Sequence, residues 1–234
     1  MWAWNGAGAR AALRPQRPAH PAFVGGLVIL WLALDWPIGA LGAGYLASVH
    51  MLQFLMMALI APPMLVLGPS PAAAALLERP GRGYAALRWM LSPGPALVIF
   101  SAIVLLTHLP PIVDVLMATQ LGSMAIDLLW IFAGFIFWWP VIRSVPAQPR
   151  FHYALKMGYL VLGLMFSPIM FGLVAFLVYS TTPLYGVFEL APPLPGITAH
   201  ADHQVAGVLM SIGASVVAFT GLSVLFFRWN KVSG

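Results

Sequence analysis

The sequence predicts an all-α polytopic integral membrane protein, a single helical bundle of about six transmembrane helices with both termini cytoplasmic. Three observations predict it. Of 234 residues, 61% are hydrophobic and only 7% charged, with a mean hydropathy of +0.92, too apolar for a soluble core inside a solvated shell. The apolar residues form six long stretches, and lipid offers no partner for exposed peptide groups, so each crossing needs a helix of roughly 20 largely apolar residues. All eleven Lys and Arg residues fall in alternate gaps between these stretches, and basic residues in short loops mark the cytoplasmic side.

Taken in order, the expected crossings are 21–41, 45–67, 94–111, 121–142, 155–179 and 203–227. The first is the weakest, because Asp35 and Pro37 interrupt the apolar run from Pro21 to Leu34 before Ile38 to Leu41 resume it. An Arg-bearing start before a short apolar region also has the form of a secretory signal peptide. The long start argues for a retained helix, and cleavage would leave the other five crossings in the same orientation. Arg10, Arg14 and Arg17 precede the first crossing; Arg79, Arg82 and Arg88 separate the second from the third. Arg143, Arg150 and Lys156 separate the fourth from the fifth, and Arg228 and Lys231 close the chain. The chain therefore divides into a basic cytoplasmic segment 1–20, a transmembrane domain 21–228 and a cytoplasmic tail 229–234. Within the gap 68–93, short interfacial helical turns are expected at Ala72 to Glu78 and Gly83 to Met90. The Pro-rich gap 180–202, with Tyr185, Phe188 and Glu189, reads as an ordered outer loop at head-group level.

Composition also excludes function classes. The formal charge of +5 is a topology signal and an affinity for the lipid bilayer's anionic head groups, and no aromatic-interleaved basic groove points to nucleic acid. The absence of cysteine removes disulfides, thiolate metal sites and Cys redox chemistry, so any metal must use His, Met or carboxylate. No H-E-x-x-H helix, G-x-S-x-G elbow or phosphate-cradling Gly loop is present, so the chain does not read as an enzyme. A channel or transporter needs a polar path, and the inner halves of the crossings carry almost no charge; no inverted repeat is visible either.

The polar residues gather at the outer side. His50 lies about one turn inside the second crossing, His108 near the end of the third, and His200, Asp202 and His203 at the start of the sixth. Asp35, Asp114 and Asp127 fall at or near the same side, whereas His20 and His152 lie on the cytoplasmic side. Polar groups inside a bilayer are costly and face a partner or a wet cavity. His50, Gln53, Met57 and Met64 share one helical face, as do His203, Ala206 and Met210. Imidazole with thioether suits copper, above all the cuprous ion.

Each residue also has a purely structural reading. Methionines at helical spacing serve as packing, and His50 suits an interhelical hydrogen bond. His108 suits a helix cap before Pro110, and Asp202 an N-cap of its own helix favoured by the dipole. Asp127, deeper in the fourth crossing, needs a partner. A b-type haem held by His50 and His108 is a further alternative.

Five strings in order, HMLQF from His50, APPMLVLG from Ala61, HLPP from His108, FWWPVI from Phe137 and DHQVAGVLM from Asp202, resemble the CtaG-type cytochrome c oxidase assembly factors associated with caa-type oxidases. The likeness covers nearly all of the chain after the first crossing. It implies a multi-pass factor of the bacterial inner (plasma) membrane, partnered with haem-copper oxidase subunits or other oxidase assembly proteins and aiding copper delivery from the outer face. The candidate ligands, read from their placement at the outer side and their helical spacing, are His50, His108, His203, His200, Met57 and Met210, with Gln53, Asp127 and Asp202 as orienting groups; of these the resemblance matches His50, Gln53 and Asp202. The first family motif resembles H-x-x-Q-H and the last D-Q-Q; here Phe54 stands in place of the second His, and His203 in place of the middle Gln. Ser123 and Asp127 occupy a stretch that often carries a His pair in the family. Two readings follow: relocated ligands, or a structural oxidase-associated subunit that handles no metal.

Overall fold

The computed structural model describes residues 21–68, 83–143, 151–192 and 195–233. The expected basic segment 1–20, the turn expected at Ala72 to Glu78, His20, Arg79, Arg82 and Arg150 lie outside them. The described residues are helical: α1 (Pro21–Leu34), α2 (Ile38–Gly42), α3 (Ala47–Leu67), α4 (Tyr84–Met90), α5 (Pro93–Thr107), α6 (Pro110–Met117), α7 (Gln120–Ile142), α8 (Tyr153–Tyr179), α9 (Gly186–Glu189) and α10 (Ala199–Ser233). Four of these, α3, α7, α8 and α10, are long and apolar enough to cross a membrane, and α4 with α5 makes a fifth if a bend of 75° is counted within one span.

The differences from the expected spans have local causes. The Asp35 carboxylate accepts the Trp36 N–H at 2.7 Å, and Pro37 has no N–H to give, so α1 stops at Leu34 and the chain restarts as α2. The 14 residues of α1 reach about 21 Å, short of a hydrocarbon layer of roughly 30 Å. The third expected crossing ends at Thr107, because Leu109 is extended (ψ 126°) before Pro110, as residues preceding proline are, and Pro110 opens α6. The 75° bend between α4 and α5 sets Tyr84–Met90 apart from the axis of α5 as a short helix with Trp89 exposed.

Prolines also shape the long helices. In α3, Pro62 and Pro63 cannot donate to Ala58 and Leu59, and the ladder slips to π geometry over Leu55–Ile60, with the Ala61 N–H reaching the Met56 carbonyl. In α8, Val161–Met165 is a π turn whose last bond runs from the Phe166 N–H to the Val161 carbonyl; the helix then breaks at the extended Ser167, whose hydroxyl caps the restart at Pro168 by accepting the Met170 N–H. At the α3 slip α7 comes close, since a Cβ added to Gly134 would strike the Ala58 carbonyl and lie 2.6 Å from Pro62 Cγ. A helix pair this close needs glycine.

Helix α3 lies at the centre of the bundle, with 67% of its apolar window buried against protein, whereas α10 presents most of its surface outward at 22%. α3 packs against α1, α7 and α10, and α5 packs on α7. One end of the bundle is basic. There Arg143 donates to the Val66 carbonyl at 3.1 Å and Lys156 to the Val141 carbonyl at 2.7 Å, placing cations at the C-termini of α3 and α7 where the helix dipole favours them. The opposite end carries His50, His108, His200 and His203, while His152 stays at the basic end before Lys156.

Candidate functional site

At the histidine end, three consecutive residues of α10 tie three elements together. The Asp202 carboxylate accepts the Ala47 N–H at 2.6 Å and the Ser48 N–H at 3.3 and 3.4 Å, so it caps α3 rather than its own helix. The first N–H groups of any helix lack intrahelical partners, and α3 begins after Leu46, whose side chain cannot cap; the aspartate across the bundle supplies what is missing. The ring of His203 donates through Nδ1 to the Ala199 carbonyl at 2.7 Å and accepts the Tyr185 N–H on Nε2 at 3.2 Å. Gln204 donates to the Val178 carbonyl at 3.3 Å, near the end of α8. Both His203 nitrogens are thereby engaged, and neither is left for an ion.

Tyr185 carries the connection onward. Its buried hydroxyl donates to the His108 carbonyl at 2.9 Å, while the Asp114 carboxylate accepts the Val187 N–H at 3.0 Å and anchors α9. Burial, and then the Asp114 charge, push the Tyr185 phenol well above its usual range, so it remains a protonated donor at any physiological pH. Tyr185→Phe is expected to cost about 1 kcal/mol by stranding that carbonyl. Thermal unfolding in detergent would detect it, and an unchanged midpoint would show the bond to be immaterial.

Beneath this strap lies a buried cluster of rings. His50 and His108 are 3% and 1% exposed, and both pack on the fully buried Trp130, with ring centroids at 4.7 and 5.8 Å. Trp130 is held in turn by its indole N–H to the Thr107 hydroxyl at 2.9 Å. Phe188 closes over His50 at 5.8 Å and faces His203 at 6.1 Å. His108 donates through Nδ1 to the Val104 carbonyl at 2.7 Å, which leaves the lone pair on Nε2. That nitrogen has no partner, and neither nitrogen of His50 makes a hydrogen bond of regular geometry, although the Gln53 side chain and the Gly42 backbone lie beside the ring.

The remaining candidates are more scattered. Gln53 donates to Asp127 at 3.3 Å, so these two expected orienting groups partner each other, with Gln53 packed against Gly42. Met57 and Met210 are fully buried in the main core, each two turns along its helix from His50 and His203. His200 is half-buried with an unpartnered Nδ1, and among the described residues it makes no ring contact with the cluster. No group of three or more His, Asp or Glu side chains among the described residues is placed to hold a metal ion. Trp130, the platform for both open imidazoles, was not a sequence candidate; it lies one turn from Asp127 on the same face of α7, a spacing that pointed to it.

The model of the cytochrome c oxidase caa3 assembly factor family matches residues 2–231. The chain belongs to this family. No curated protein and no solved structure matches it. The departures of this assembly factor from the motifs it resembles have visible consequences. Phe54, in the place of a histidine, sets its ring edge-on to His108 at 5.0 Å and to Trp130 at 5.2 Å, filling the cluster with carbon. His203, in the place of a glutamine, makes bonds at both nitrogens within the strap.

Proposed function

We propose that this oxidase assembly factor handles copper, holding a cuprous ion in transit between His50 and His108 on the side away from the cytoplasm. The proposal takes the basic end as cytoplasmic and counts α1 with α2 as one broken crossing. That gives six crossings with both termini inside, in the bacterial inner membrane.

What carries it is the pair of buried imidazoles with open nitrogens. Leaving a buried polar atom without a partner costs about 1–3 kcal/mol, so a fold that retains such atoms calls for an explanation. His108 has the form of a metal ligand aimed by its second nitrogen, with the Val104 carbonyl fixing the tautomer. Two imidazoles in a buried aromatic setting suit a soft monovalent ion and disfavour magnesium or calcium, which select oxygen. Few donors also mean a weak hold, from which an oxidase subunit can take the ion by ligand exchange. The role requires no bond making in a substrate and thus no catalysis. The bonds made by His203 remove it from the ligand set and assign it to the strap that covers the pair.

In the test, His50→Ala and His108→Ala proteins are purified anaerobically and their bound copper and the copper content of the co-expressed oxidase are measured. Each substitution is expected to weaken Cu(I) binding by more than about tenfold while the yield of folded protein stays level. Binding should be stronger under reducing conditions. Normal oxidase copper in both variants rejects the proposal, and a haem absorption band in the purified protein would replace copper with a bis-histidine haem.

A further inference from the structure

A cavity of about 460 Å³ lies between the α1–α2 break, the end of α6 and the first turns of α7; neither His50 nor His108 lines it, and Gln53 is the lining residue nearest to His50 along α3. It is lined by the exposed Thr119 and Gln120, the half-exposed Met124, the buried Met117 and Gln53, and the partly buried Asp127. It shares Ala43, Met117 and Ala118 with a wider depression lined by Asp114 and Glu189. The sequence has no Lys or Arg between Arg88 and Arg143 to offset the acids on this wall of α6 and α7. Gln53 stands at the junction. Its amide donates to Asp127 over a long 3.3 Å, and it lies three residues, one helical step, from His50 on the same face of α3.

We propose that this cavity is the vestibule by which Cu(I) reaches His50, a proposal that rests on the copper reading above. Asp127 supplies the one negative charge that compensates a monovalent cation, and Met117 and Met124 supply thioethers that prefer a soft one. Gln53 is the gate: releasing Asp127 lets its amide swing, and the ion passes from carboxylate and thioether to imidazole by exchange of ligands with no change of oxidation state. The cavity and the open imidazoles are independent observations, and Gln53 joins them.

The test follows uptake by the full chain in lipid nanodiscs under anaerobic conditions, with Cu(I) offered as its weakly held acetonitrile complex and the copper retained by the nanodiscs read after rapid desalting at timed intervals. Asp127→Asn keeps an acceptor for Gln53 but removes the charge. Met117→Leu keeps the volume and removes the sulfur, and Ser123→Phe fills the cavity. Each is expected to slow loading by about tenfold, the scale on which a charged cleft raises capture rates, while the final copper content stays at the wild-type level. His50→Ala is expected to lose the final content instead. Wild-type rates in all three variants overturn the vestibule and leave the His50–His108 reading intact. A wild-type rate with a lowered final content in Asp127→Asn also overturns it, because Asp127 would then belong to the holding site. A wild-type protein that takes up no copper overturns both proposals.

Discussion

Asp202→Ala is expected to destabilise the protein by about 2–3 kcal/mol, the combined scale of a lost N-cap and of hydrogen bonds to a charged group. The substitution strands the N–H of Ala47, which is fully buried, and that of Ser48, with no side chain at Leu46 to take over. It also removes a negative charge from the positive end of the α3 dipole. Asp202→Asn, keeping one acceptor oxygen but no charge, should lose roughly half as much. Because α3 carries His50 three residues beyond Ala47, the alanine variant should in addition loosen the ring against Trp130, readable as a change in indole fluorescence before global unfolding. Equal stability of the wild type and both variants would show that water or another group caps α3.

This pairing marks the boundary of what the sequence made legible. An aspartate one residue before a helical apolar run reads as a local cap, since capping statistics are local. The partner lies 155 positions away, and only the packing of α10 on α3 joins them. The same holds for His203: its identity and place were legible, but a histidine whose two nitrogens are spent on backbone cannot be told from an open one until the Tyr185 loop is in place. By contrast, four of the expected crossings appear as helical spans over nearly the expected residues, three of them unbroken and the fifth crossing interrupted at Phe166 and Ser167, because hydrophobic length is a one-dimensional property. The first and third expectations overran where Asp35 with Pro37 and Leu109 with Pro110 redirect the backbone. Hydropathy averages over such residues, and local hydrogen bonding does not. The gathering of His50 and His108 at one end was legible from topology; their sharing one tryptophan was not, since topology leaves the order of helices in the plane open.

Gly134→Ala is expected to be among the most damaging single-methyl changes in the chain. The new Cβ meets the Ala58 carbonyl and lies 2.6 Å from Pro62 Cγ and 3.0 Å from Ala58 C, and none of these can rotate aside. Ala58 lies in the π turn and Pro62 causes the slip, so relief requires α3 and α7 to separate as bodies. Overpacking of this kind costs about 1–3 kcal/mol. Gly172→Ala in α8 is the control: nothing lies within 4 Å of its Cβ position, so it should be neutral or gain up to about 1 kcal/mol from helix propensity. Trp130 is one turn from Gly134 on α7, so parting the helices there also draws the indole away from His50. Loss of stability in Gly134→Ala and its retention in Gly172→Ala is the expected pattern, and on the proposed copper reading bound copper follows the same pattern. Full stability in Gly134→Ala would mean that the α3–α7 contact is looser than its geometry requires, and that the imidazole cluster takes its rigidity from the Asp202–His203–Gln204 strap alone.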